Sequence, residues 1–369
     1  MMTNEELQSK TIGFLRFPLI VGVVLIHSYF DEVVIDGVDL MEGGHFPIYT
    51  QISYLFSQIL SRIAVPLFFF ISGFLFFYKV NAFTKSAYFQ KLKKRVRTLL
   101  VPYVLWNLLV ALLFFLSHSF FPGLMSGRNK LIRDYGISDW LWTFWNTNMI
   151  NPLTADEGAY PICYQFWFIR DLMVVMIFSP LVYFLVKRLR HYAVLCLGML
   201  WFFGWWVDVV GFSSDAFFFF SAGAYFSIHR KNFVEAMKPF GGVSAILYVL
   251  TTVMELCLKD VSWYSYLHKI GILIGIVTVV TLSVHLLKKG TWHTNAFLSD
   301  SSFFIYAYHA MPLAFSVKLL FKMMQPHTDG MLLALYVVCP LVTILIGLLL
   351  YYLLRKFLPQ LTSVLTGGR

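Results

Sequence analysis

The feature that most limits the fold is a succession of apolar stretches, each about as long as a bilayer is thick. A helix needs about twenty apolar residues to cross. Ten candidate stretches lie near 11–31, 52–78, 99–121, 163–186, 191–210, 212–228, 241–258, 270–287, 300–324 and 331–354. The fifth and sixth are short and meet around Gly211, as a tight hairpin or as one broken element. Hydrophobic residues make up 59% of the chain and charged residues 13%. A soluble domain is nearer half apolar and a quarter charged, so a water-soluble fold is excluded. The first stretch has no small-residue cleavage site and reads as a retained span. The expected fold is all-α: a polytopic membrane helical bundle of about ten transmembrane helices. It forms a single membrane-embedded unit over 1–369, with no separate soluble domain.

A net charge of +10 would suit a nucleic-acid partner, but its distribution points elsewhere. With the N-terminus inside, nineteen Lys and Arg fall on inner segments, seven of them between 79 and 98. Five fall outside: Arg128, Lys130, Arg133, Lys259 and Lys269. This asymmetry follows the positive-inside rule and sets both termini in the cytoplasm. No nucleic acid is expected as a partner, and membrane lipids are. The first outer loop carries Asp31, Glu32, Asp36, Asp39 and Glu42 without a basic residue. Cys163, Cys196, Cys257 and Cys339 are scattered, with neither disulfide framework nor metal-ligand spacing.

Lys318 and Lys322 sit toward the outer end of the ninth span, and the three remaining basic residues lie within spans: Arg16, Arg62 and Arg170. A charge there is costly unless it faces a polar cavity or a partner, so these are the first functional candidates. Arg16 and His27 are eleven residues apart in the first span. Eleven helical steps come within about 20° of three full turns, so the two share a face about 16 Å apart along the axis. Asp31 would lie one further turn beyond His27, where a carboxylate can orient the imidazole. Pro18 frees a carbonyl beside Arg16. Snorkelling of Arg16 and plain packing of His27 are the alternatives for each residue alone; their shared face favours a polar pathway.

The second span carries Arg62, too deep to snorkel easily, then Pro66 and the Ser72–Gly73 notch. The segment before the third span carries Lys91, Lys93, Lys94, Arg95 and Arg97. Two readings coexist there: a topology signal at the anionic leaflet and a phosphate site. In the fourth span Arg170 and Asp171 are adjacent, about 100° apart on a helix, so they are not expected to pair simply with each other. An interface anchor with an interhelical ion pair is the competing reading. In the ninth span Tyr306 and His309 share a face. His309 is a second catalytic group, a substrate ligand or a structural histidine.

Taken in order, these stretches resemble the acyltransferase-3 family of bacterial integral-membrane O-acyltransferases. The carriers are Arg16-x10-His27, the run from Arg62 to Gly73, Lys94–Arg95–Arg97 before Pro102–Tyr103, and Trp167 to Arg170. The Phe-rich run from Phe217 to Ser227 and the segment from Ser302 to His309 complete the set. No hydrolase-like domain follows the tenth stretch, which is similar to the family's sugar and polysaccharide O-acetylases.

The resemblance implies an acyl donor such as acetyl-CoA, used as a substrate with no tightly bound cofactor and no metal. It implies a carbohydrate acceptor, a glycan or lipid-linked sugar, and a place in the bacterial inner membrane. On that reading Arg16, Lys94, Arg95 and Arg97 hold the donor. His27 acts as general base, supported by Asp31. Arg62, Arg170, Tyr306 and His309 serve the oxyanion and substrate, and Trp140 to Trp145 meets the acceptor. A transporter or flippase for a polysaccharide or lipid-linked sugar is the alternative, since intramembrane charges serve such pathways too.

Orientation has a direct test. Reporter fusions within 79–98 are expected to report cytoplasm and fusions near 130 the outside; the opposite pattern would invert the assignment.

Overall fold

The computed structural model describes residues 3–35, 38–39, 41, 44–120, 130–151 and 158–368. Asp36, Glu42, Arg128 and Arg369, counted above by their charge, lie outside the described residues. The described chain is helical apart from connections and one two-residue antiparallel ladder, β1 Val34–Ile35 with β2 Val38–Asp39. The helices in chain order are α1 Asn4–Ile26, α2 Pro47–Phe77, α3 Lys85–Phe120 and α4 Ile137–Thr143. Next come α5 Trp167–Ile177, α6 Ser179–Leu189, α7 His191–Phe203 and α8 Ser214–Ile228. Then follow α9 Phe233–Cys257, α10 Tyr264–Lys289, α11 Ala296–Tyr308 and α12 Ala310–Met324. The last two are α13 Asp329–Phe357 and α14 Pro359–Thr366.

Six of these (α1, α2, α3, α9, α10 and α13) are long and apolar enough to cross a membrane; counting the α5–α6 and α11–α12 pairs as one span each makes eight. The fourth and ninth expected spans are therefore not straight. They bend by 64° and 68°. In both cases proline supplies the reason. Pro180 opens α6 and has no N–H to continue α5. Pro312 cannot donate to the carbonyl of Tyr308, and the helix breaks between that carbonyl and the proline. The fifth and sixth expected spans are α7 and α8. At 13 and 15 residues, about 20 Å each at 1.5 Å per residue, they fall short of a bilayer core. The interruption runs from Gly204, in the left-handed region, to Ser213, and so starts earlier than Gly211. The basic segment 79–98 is mostly helix continuous with the third span.

The chain forms two compact units, Met1–Lys79 with Phe219–Leu353, and Val80–Phe218 with Leu354–Arg369. In the first, α13 has one buried and one exposed face. Leu332, Leu335, Cys339, Thr343 and Gly347 are buried at helical spacing, while Val338, Leu341, Leu345 and Leu349 are exposed, as a lipid-facing stripe should be. α2 and α8 approach through reciprocal glycines. A Cβ on Gly73 would sit 1.9 Å from the carbonyl oxygen of Phe220, and one on Gly223 would sit 1.9 Å from that of Phe70. This is the small-residue contact by which membrane helices pack.

In the second unit α14 packs on α3. Trp106 Nε1 donates to Leu365 O at 3.1 Å, and Gly367 lies against the Thr98 carbonyl. The segment before α5 is tied down by Asn107, whose Oδ1 accepts from Cys163 N–H at 3.0 Å. Lys130 Nζ sits 2.6 Å from Asp139. That ammonium, helped by the Gly136 N–H, holds the Asp139 carboxyl below its usual range.

Gly73→Ala or Gly223→Ala must push the two backbones apart. Overpacking of this kind costs about 1–3 kcal/mol, so each variant is expected to melt earlier in detergent. An unchanged midpoint would mean that α2 and α8 have room to spare.

Candidate active site

The site in the first unit is built where two helices stop. α1 ends at Ile26, and His27 caps it with its N–H on Leu25 O. The end is held from α2 by Ser57 Oγ, which donates to Leu25 O and lies 2.8 Å from Tyr336 Oη. The chain that follows is clamped by Tyr49. Its hydroxyl accepts from Phe30 N–H at 3.0 Å and donates to Phe30 O at 2.9 Å. His27 is thus fixed on both sides.

His309 stands at the break between α11 and α12 and is fully buried. Its Nδ1 lies 2.7 Å from Tyr306 O and 3.2 Å from Ile305 O. A carbonyl only accepts, so the proton of a neutral ring sits on Nδ1 and Nε2 carries a lone pair. Among the described residues that Nε2 has no hydrogen-bond partner. The rings of His27 and His309 are 5.4 Å apart, centroid to centroid. A buried acceptor left open is costly unless a donor arrives, and such groups mark functional sites.

Arg62 lies on α2, where the winding is irregular: π-helical over Tyr54–Leu60, then 3-10 over Ser61–Ile63, before Pro66. Its Nε donates to Gln58 Oε1 at 3.1 Å, and its Nη2 donates to the same oxygen. Its charge acts on His27. Arg16 interacts electrostatically with Asp300 of α11. Arg16 and His27 therefore both address the α11–α12 pair. Tyr306 is buried; its carbonyl orients His309, and its ring centroid lies 6.3 Å from the imidazole. Asp31 does not stand where helical continuation placed it. The helix has ended at Ile26, five residues before Asp31, and Asp31 is exposed on the following loop.

A second polar group was missed by the sequence reading. Glu255, near the end of α9, is 1% exposed. It holds His268 Nδ1 at 2.6 Å and accepts from Tyr264 Oη at 3.3 Å. Tyr54 Oη in turn donates to Tyr264 Oη at 2.8 Å. Tyr54, Gln58 and Arg62 follow one another at single-turn spacing along α2, so polar groups run from Arg62 toward the Glu255–His268 pair. The signal was present: a carboxylate inside an apolar run, the same oddity that singled out the three arginines.

In the second unit Arg170 does pair with its neighbour, contrary to expectation. Nε donates to Asp171 Oδ1 at 2.9 Å, with both side chains buried. Helical spacing separates the Cβ directions, but the long arginine side chain folds back. Nη1 donates to Trp145 O at 2.7 Å and Ala159 O at 2.8 Å. Arg170 thereby ties the segment following α4 to α5. Trp140 and Trp145 are partly exposed at and after α4. Lys94 and Arg97 are exposed and Arg95 half-buried along the first turns of α3. Among the described residues no group of three His, Cys, Asp or Glu is placed to hold a metal ion.

The family model described as an acyltransferase domain, of the acyltransferase-3 type, matches residues 10–352. The chain is 26% identical over 376 residues to the succinoglycan biosynthesis protein ExoH of Rhizobium meliloti (strain 1021), covering 98% of this chain and 92% of that protein. No solved structure matches.

Proposed function

Because the chain belongs to the acyltransferase-3 family, whose model spans residues 10–352, we propose that it is a membrane O-acyltransferase moving an acetyl group from acetyl-CoA to a hydroxyl of a cell-envelope polysaccharide. The observation that carries the reading is the open Nε2 of buried His309 beside the ring of His27. The carbohydrate acceptor follows the relative, whose name assigns it to succinoglycan biosynthesis. The topology that goes with it is ten crossings in the bacterial inner membrane, with both termini cytoplasmic and α7 and α8 completing the count. Thinning of the bilayer lets short helices span.

His27 is the general base. It takes the proton of the acceptor hydroxyl as that oxygen attacks the thioester carbonyl, and returns it to the departing thiolate. The products are the acetyl ester and free coenzyme A thiol. His309, held by the Tyr306 carbonyl, takes the orienting part first given to Asp31. Arg62 stabilises the oxyanion, since a positioned cation acts on the charge that develops there. Arg170 leaves that set, because its Nε and Nη1 already donate to Asp171 and to two carbonyls. Arg16, Lys94, Arg95 and Arg97 bind the donor phosphates, a role suited to arginine and lysine. The Tyr54, Tyr264 and Glu255–His268 line offers hydroxyl and ring contacts to the acceptor.

Purified protein incubated with acetyl-CoA and a glycan fraction from its own cells is expected to consume thioester and label glycan. His27→Ala is expected to lower transfer by about 10² to 10⁴ while acetyl-CoA still binds. His27→Gln is expected not to restore it, since an amide cannot take the proton. A wild-type protein that moves glycan without consuming thioester would be a flippase, and the acyltransferase reading would fall.

A further inference from the structure

A cavity of about 410 Å³ opens between α9 and α10, away from the His27–His309 pair and unused by the chemistry above. Its size falls within the usual range for small-molecule sites, about 300–1,000 Å³. The glycine pair at 241–242 makes the α9 wall low. A Cβ on Gly242 would meet nothing within 4 Å, whereas one on Gly241 would touch Thr281 of α10 at 3.1 Å. The helices thus close at Gly241 and leave an open trough beside Gly242. Its walls are mostly apolar, with Ala245 and Leu282 among them.

One chemistry stands at its rim. Lys238, His285 and Lys288 line the cavity, and no carboxylate does. All three are exposed, and among the described residues none is in an ion pair. They sit at the end of the α9–α10 hairpin opposite its connecting loop, the end that the Lys and Arg distribution assigns to the cytoplasm. α9 is the least covered of the six long helices, so the trough opens sideways toward lipid. A ligand that enters from the membrane and matches apolar walls and a basic rim has alkyl chains and an anionic head. Basic pockets between membrane helices on the cytoplasmic side bind anionic lipid head groups.

We propose that this cavity is a binding site for one anionic phospholipid, with the phosphate at Lys238, His285 and Lys288 and an acyl chain along Gly242, Ala245 and Leu282. The site is independent of the reaction assigned above. Its occupant would brace the α9–α10 hairpin, which also carries Glu255 and His268.

The test uses the full-length protein in phosphatidylcholine nanodiscs or micelles, titrated with phosphatidylglycerol or with more phosphatidylcholine. Bound lipid is read by native mass spectrometry and the melting midpoint by fluorescence. Phosphatidylglycerol is expected to be retained and to raise the midpoint, and phosphatidylcholine is not. Lys238→Ala or Lys288→Ala is expected to weaken phosphatidylglycerol binding about fivefold, and both together about thirtyfold. Gly242→Leu fills the trough without touching charge and is expected to abolish retention. Equal retention of the two lipids overturns the proposal, leaving the lysines as a topology signal. So does full retention by Gly242→Leu, or displacement by inorganic phosphate or acetyl-CoA, which would assign the rim to a soluble phosphate.

Discussion

The rest of the candidate site depends on two helices ending beside each other, which brings the imidazoles of His27 and His309 together. Neither end is accidental. α1 stops at Ile26, its exposed carbonyl end held by Ser57 and the following strand of chain clamped by Tyr49. α11 stops because Pro312 cannot supply the N–H that Tyr308 O needs. The break also leaves the carbonyls of Ile305 and Tyr306 beside the His309 ring, and these dictate which nitrogen carries the proton. A local backbone interruption thus determines the chemistry of a side chain: it makes Nε2 the open acceptor.

The intramembrane charges divide by their partners. In hydrocarbon a charged group is retained only with a partner or a water-filled path. Arg170 has a complete structural explanation in Asp171 and two backbone carbonyls. Glu255 is likewise held, by His268 and Tyr264. Arg62 is exposed on α2, it donates to the side-chain oxygen of Gln58, and its charge acts on His27. The reciprocal glycines of α2 and α8 matter for the same reason, since α2 carries Arg62, Gln58 and Tyr54 in one stretch.

Much of the helix content was legible, because apolar length is a one-dimensional property that a bilayer reads directly. So was the continuity of the first helix, α1, from Asn4 to Ile26. The failures share a cause. Asp31, the Arg170–Asp171 pair and the straight fourth and ninth spans were all judged by extending ideal helices past points where proline or a cap ends them, or by treating Cβ direction as the reach of a long side chain. The meeting of His27 with His309 joins residues 282 positions apart, and no periodicity within either segment carries that information. Glu255 carries a legible signal too, a lone carboxylate inside an apolar run.

The proposed chemistry has His27 and His309 acting as one unit in acyl transfer. A double-mutant cycle on acetyl-CoA-dependent transfer by the purified protein measures this directly, with His27→Ala, His309→Ala and the double variant compared at saturating donor. Residues that work as a unit are strongly non-additive. The double variant is therefore expected to be no slower than the slower single variant. Losses that multiply would show two imidazoles acting independently, and their contact would then be packing alone.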